Sequence, residues 1–209
     1  MSGYMSHRRQ LLAAGLLLLG LTVAPVVLAP AAHAASDPAG FVKDVSNQAI
    51  TELAVSQGAS DKDRAAKLKP ILEQYFDMPG IAKYMLGSYW RKATPEEQTS
   101  FTTTLTDFLA LSYGKRFATY TGHEMAIGRV RDDGDGLSTV FSLVKLPSGE
   151  EARVDWIILS QDSSYKISDV KVEGLSLADT HRQEFASVIS SNGGSVAKLI
   201  EVLKKKVGS

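Results

Sequence analysis

Cysteine is absent from this sequence, which removes thiolate nucleophiles, disulfides and thiolate metal sites together. Beyond residue 34 only His123 and His181 carry an imidazole, too few to ligate zinc or copper without thiolate partners. His181 and Glu184 stand at i, i+3 on one helix face and read as a surface polar pair. Asp133-x-Asp135-Gly136 has the middle of a calcium loop. Arg131 stands where the first ligand belongs and Ser142 where the bidentate glutamate belongs, so the stretch reads as a hairpin turn. Neither a Gly-x-Ser-x-Gly elbow nor a phosphate-cradling glycine loop occurs. Acid–base chemistry is left with a pocket carboxylate, Asp155 or Asp169, as the enzyme reading. Alternation turns Asp155 away from the Trp156 face, and solvent exposure is expected for both because an unpaired buried carboxylate is costly.

The other conspicuous group is apolar. Tyr75–Phe101 packs Tyr75, Phe76, Ile81, Tyr84, Met85, Tyr89 and Trp90 into one stretch. Asp77 and Pro79 suit a helix entry, Ile81, Tyr84, Met85 and Ser88 share helical spacing, and Gly87 can end the helix. Thr94-Pro95-Glu96-Glu97 is a capping box that starts the next helix. Such a segment supplies an aromatic wall and no reagent.

Around it the chain reads as helices, then strands, then helices. A first helix begins at Ser36-Asp37-Pro38 with Phe41, Val45, Ala49, Ile50 and Leu53 in one stripe. Ser60–Asp63 caps a second, with Ala65, Leu68, Leu72, Tyr75 and Phe76 inward and Pro70 expected to kink or split it. The helix from Thr94 to about Tyr120 carries Phe101, Leu105, Phe108, Leu109, Ser112 and Phe117 on one face. After Gly122 the period turns to alternation: residues 124–131, 137–146, 150–160 and 165–172 read as four strands joined by short turns, an antiparallel meander. In the third strand Ala152, Val154, Trp156 and Ile158 face inward. From Val172 the chain leaves the sheet for helices at 178–191 and from Ser195 onward. The class is α+β, a curved four-stranded antiparallel sheet covered on one face by helices, cone-like in the NTF2 manner and enclosing an apolar cavity.

Residues 1–34 have the layout of a cleaved export signal: basic His7-Arg8-Arg9, an uncharged run from Leu11 to Ala32, and the small-x-small Ala32-His33-Ala34. A membrane anchor is the alternative, since the run is nearly long enough to span. Pro25, Pro30 and the alanine-rich end favour cleavage, and Arg8-Arg9 fits either Sec or twin-arginine export. Residues 35–209 then form a single exported, soluble domain. Acidic and basic residues number 23 each, so nothing basic enough for nucleic acid is present. Lys204, Lys205 and Lys206 close an amphipathic helix where the dipole favours cations, with contact to anionic lipid heads as the functional alternative.

At this point the chain resembles a known family. Phe76-Asp77-Met78-Pro79-Gly80-Ile81-Ala82 through Leu86-Gly87-Ser88-Tyr89-Trp90-Arg91 is similar to the F-D-x-x-x-I-A-x-x-x-L-G-x-x-W-R signature of MlaC-type proteins, the toluene-tolerance auxiliary family. Thr94-Pro95-Glu96-Glu97-Gln98 through Phe101 resembles the helix start that follows it. Ile167-Ser168-Asp169-Val170-Lys171-Val172-Glu173-Gly174-Leu175-Ser176-Leu177 resembles V-x-D-V-x-V-E-G-V-S-L, and His181-Arg182-Gln183-Glu184-Phe185 resembles Y-R-x-x-F. The usual G-x-W-K is here Ser164-Tyr165-Lys166, a smaller aromatic at the pocket edge.

The resemblance implies a periplasmic, non-enzymatic phospholipid carrier without cofactor or metal, expected as a monomer. It implies two partners: an outer-membrane lipoprotein complex and an inner-membrane ABC transporter whose capture subunit has an MCE domain. A branch found with hopanoid biosynthesis genes shares these motifs, so the ligand is a phospholipid or a hopanoid. A ligand-free adaptor docking to transporter subunits, with a filled core, is the remaining reading. The residues expected to line a lipid pocket are Leu86, Leu105, Phe108, Leu109, Val140, Val154, Trp156, Ile158, Val170 and Val172. A charge at Leu105 or Ile158 is expected to abolish lipid retention and leave the fold.

Overall fold

The computed structural model describes residues 37–54, 58–117, 125–146, 148–161 and 164–208, all within the compact unit Ala34–Ser209. The leader expected at residues 1–34 lies outside the described residues.

The chain opens with α1 (Pro38–Ala54), α2 (Asp61–Tyr75), α3 (Met78–Leu86), a 3-10 turn (Gly87–Arg91) and α4 (Pro95–Phe117). The strands β1 (Met125–Gly134), β2 (Leu137–Lys145), β3 (Glu151–Gln161), β4 (Ser164–Val172) and β5 (Leu175–Ser176) follow, then α5 (Leu177–Ser191) and α6 (Val196–Gly208). The sheet is an antiparallel meander in the order β1-β2-β3-β4-β5. Among the described residues it has five strands rather than the four expected. Glu173 and Gly174 both take positive φ (50° and 80°), the conformation of a tight hairpin, and fold Leu175 back beside Val172. The chain therefore leaves the sheet after Ser176 rather than at Val172. Register shifts in β1 between Ile127 and Val130, and in β4 at Ser168, which is skipped where Ile157 and Ile158 of β3 pair with Asp169 and Ile167, bend the sheet.

Local chemistry accounts for the helix starts. Ser60 and Asp63 form a reciprocal capping box on α2. Thr94 and Glu97 exchange the same pair of bonds ahead of α4, Glu97 accepting from the Thr94 amide at 2.9 Å and Thr94 Oγ1 from the Glu97 amide at 3.2 Å. Asp77 caps α3 by accepting from the Gly80 amide at 3.1 Å. A Cβ on residue 80 would fall 2.0 Å from that carboxylate, so glycine there lets the cap close. Of the kink or split expected at Pro70, the split does not occur: α2 runs on as one helix with the proline inside it, its Leu68, Ile71 and Leu72 buried on either side.

The junction between α2 and α3 is stitched to the sheet. Phe76 forms a parallel bridge with Ile167 of β4, and the Asp77 amide donates to the Ile167 carbonyl at 3.0 Å. The fully buried side chains of Phe101, Leu105, Val140, Ile158, Ile167, Ile189 and Leu199 fill the space between the sheet, α4, α5 and α6. Phe101 meets Phe185 edge to face at 5.9 Å.

Candidate functional site

Strand register decides which residues can form a wall. In an antiparallel pair opposed residues share a face. Val144 opposes Ala152, Val154 opposes Val172, and Trp156 opposes Val140 and Val170. Along β3 the inner face therefore reads Ala152, Val154, Trp156, Ile158. The first three border a cavity of about 310 Å³ and Ile158 does not. Likewise β2 contributes Val144 but not Val140, and β4 contributes Val170 and Val172 but not Ile167. The space thus opens at the end of the sheet where β3 begins and β4 ends, and closes to solid core at the other.

The helices supply the opposite wall. α1 presents Val45 and Ala49, α2 presents Leu68, Ile71 and Leu72, α3 presents Ile81 and Met85, and α4 presents Leu109. α5 adds Leu177, Ala178 and His181. Polar groups in this wall are tied up locally. The Trp156 indole N–H donates to Ser142 Oγ at 3.0 Å, and the Ser142 hydroxyl donates to the Val154 carbonyl at 2.7 Å. Asp169, expected to be exposed, stands half-buried in the wall. Its carboxylate accepts from the Val170 amide at 2.8 Å, the Ala178 amide at 3.1 Å and Ser176 Oγ at 2.6 Å. It is spent on starting α5, where an acceptor near free amides is stabilised.

Asp155 is also buried rather than exposed, at 4 %. It does face away from Trp156, onto the outer side of the sheet, where Arg153 Nε lies 3.3 Å from its Oδ2. The Arg129 and Arg131 guanidinium groups stack on the ring of Phe141, its register partner on β2, so large side chains crowd this position. Asp155 Oδ1 is buried with no hydrogen-bond partner among the described residues. His181 is no surface residue either, being only 8 % exposed. Its ring stacks on Phe185 (5.6 Å, 18°) and meets Phe108 edge-on, while Nδ1 lies 3.1 Å from Glu184 and Nε2 3.0 Å from the Tyr113 hydroxyl. The Glu184 side chain is exposed, and Tyr113 is half-buried.

Of the ten side chains expected at a lipid pocket, Leu109, Val154, Trp156, Val170 and Val172 border the cavity. Leu86, Leu105, Phe108, Val140 and Ile158 do not; all five are packed in the core. They share faces with wall residues but sit beyond the closed end. The wall residues of α1 and α2 were visible only as apolar stripes, which composition does not distinguish from core. The arrangement offers an apolar recess whose exposed lining side chain is Val172, at 38 %.

Among known proteins, the family model described as MlaC protein matches residues 43–205. Toluene tolerance protein ttg2D of Pseudomonas putida is 27% identical over 135 residues, which is 64% of this chain and 63% of that protein. The chain therefore spans less than two thirds of that relative's length. A solved phospholipid-binding protein from Ralstonia solanacearum, in complex with a phospholipid, superposes with a TM-score of 0.70. The two are 23% identical, and the match covers 83% of this chain and 98% of that one, a likeness of fold. With the matched segment running from α1 into α6, this chain belongs to the MlaC protein family.

Proposed function

We propose that the protein is a periplasmic lipid carrier that takes phospholipid acyl chains into its cavity and shuttles them between two membranes. The observation that carries this reading is the apolar recess of about 310 Å³, within the size range of ligand sites and walled by aliphatic side chains from helices and sheet. Each Å² of acyl chain withdrawn from water there gains about 25 cal/mol, while a charged head group would be costly to desolvate and stays at the opening. The phospholipid held by the Ralstonia solanacearum protein of the same fold supports that cargo. We assign chain contact to Leu109, Val154, Trp156, Val170 and Val172. The curved sheet under its helices fits a cone in the NTF2 manner.

The partners in this reading are an outer-membrane lipoprotein complex and an inner-membrane ABC transporter with an MCE-domain subunit. Family membership and the leader-like residues 1–34 support it, with cleavage after Ala34 delivering a monomer to the periplasm. A ligand-free adaptor would have a filled core, which the cavity weighs against. An enzyme would need a reagent in the wall, and the Asp169 carboxylate is instead engaged by three donors. Turnover of a small ketone would overturn that judgement. The carrier is tested by native mass spectrometry of the exported protein purified without detergent. A mass excess of one phospholipid, released on denaturation, is expected. A bare polypeptide mass that stays bare after incubation with vesicles would overturn the reading in favour of the adaptor.

A further inference from the structure

We propose that the outer face of the sheet, on the side away from the cavity, is a docking surface for an acidic segment of a partner protein. Arg129 and Arg131, laid on the ring of Phe141, form its centre. The surface does not depend on the carrier reading above.

A bulge builds it. Ile127 opposes Ser142 and Val130 opposes Val140, so Gly128 and Arg129 stand together opposite Phe141. Ile127 packs against the core, and unbroken alternation from it would send both arginines to the cavity side. The extra residue turns them outward instead. Gly128 suits the close approach this needs, since a Cβ there would lie 3.2 Å from the Phe141 carbonyl oxygen. The guanidinium centres of Arg129 and Arg131 then lie 4.5 and 5.5 Å from the centre of the Phe141 ring. A guanidinium held in this way keeps N–H groups at its edge, the geometry that takes a carboxylate through two parallel bonds.

Charge on this face is unbalanced. Around the ring, Arg129, Arg131, Arg153 and Lys171 outnumber the carboxylates of Asp133 and Asp155. Asp133 is already taken by Arg131 and Asp155 by Arg153, while Arg129 has no ion pair among the described residues. Asp155 Oδ1 is buried with no donor on it, so none of these cations is turned down into the sheet to reach that oxygen. Leu143, two residues along from Phe141 and 41 % exposed, extends an apolar floor beside the ring. Arginine and aromatic side chains around an apolar centre are the composition of a protein interface. Carboxylates stand at both ends of the face, Asp132 and Asp135 at the β1–β2 turn, Glu151 and Glu173 at the other end. A plane of anionic lipid heads would press on these as well as on the arginines, whereas a narrow segment of chain passes between them.

The test uses the exported protein and two labelled dodecapeptides, one alternating glutamate with threonine, the other carrying lysine for glutamate. Peptide binding is followed by fluorescence polarisation, and binding to phosphatidylglycerol vesicles by co-sedimentation. The glutamate peptide should bind, and release as salt is raised. Its affinity should fall about tenfold or more in Arg129→Glu and about threefold to tenfold in Arg129→Gln. Lys205→Glu, on α6, should leave it unchanged. Arg129 is exposed, so both variants should keep the wild-type melting temperature. No binding of the glutamate peptide, equal binding of the lysine peptide, or an equal loss in Lys205→Glu overturns the proposal. Vesicle binding that Arg129→Glu abolishes, with no peptide binding, gives the face to membranes and overturns it as well. Lipid capture by Arg129→Glu should match wild type, so failure of the docking surface and failure of the carrier are read separately.

Discussion

Val154 and Leu105 should respond in opposite ways to the same substitution. Val154 is half-buried in the cavity wall, so the carboxylate of Val154→Asp can draw water into the recess. That variant is expected to fold and to lose its lipid. Leu105 is fully buried beyond the closed end, and Leu105→Asp would strand an unpaired carboxylate in packed core. It should cost more than the roughly 2–5 kcal/mol of a leucine-to-alanine truncation and fail to fold. Thermal melts with lipid analysis of each purified variant check both outcomes; a well-folded, lipid-free Leu105→Asp would place the cavity wrongly. The sequence had grouped the two residues because periodicity identifies a face, not a depth along it. Alternation in β3 put Val154, Trp156 and Ile158 on one side, as they are, but Ile158 lies where the helices have closed on the sheet. His181 shows the same limit from the other direction. Its i, i+3 spacing with Glu184 was plain, whereas the aromatic surroundings contributed by α4 were not.

Helix ends were the most legible elements, since a cap is a contact between near neighbours in sequence. Ser60 with Asp63, Thr94 with Glu97, and Asp77 before α3 all place an acceptor at free amides within three residues. The fifth strand escaped because only two residues pair, and its turn depends on Glu173, a residue rarely found at positive φ. At Pro70 the helix is not split, because buried side chains on both sides of the proline hold one helix together. Contacts between elements distant in sequence were not legible at all, and one of them can be titrated. Lys69 of α2 lies 2.6 Å from Asp107 of α4, and the hydrogen bond to Asp107 holds its ammonium above the ordinary 10.5. Because the folded value is the higher, the stabilisation is fully present below 10.5 and is lost as pH rises through the folded value. Both side chains are about one-third exposed, so the pair contributes less than about 1 kcal/mol. Asp107→Asn should lower the urea midpoint slightly at neutral pH, the gap to wild type narrowing in alkali. A gap that is constant across that range would assign the loss to packing instead.

At the scale of the molecule, the α+β class and the meander could be read because strand alternation and short turns leave few alternatives. The cavity could not. Its wall draws on residues from Val45 to His181, contributed by five helices and four strands, and the same aliphatic side chains would serve a filled core equally well. The space between layers is set by how far bulges bend the sheet from the helices, which composition does not record. That space has a mechanical consequence. A fold enclosing about 310 Å³ beyond its packed atoms surrenders that volume when it unravels, and hydrostatic pressure favours whichever state is smaller. In the proposed carrier, lipid occupying the recess removes the difference. Protein stripped of lipid should therefore unfold at a lower pressure than lipid-loaded protein, followed through the fluorescence of Trp156 in the cavity wall. Identical pressure midpoints would mean that the walls collapse onto one another in the absence of lipid, making the fold a bellows rather than a rigid vessel.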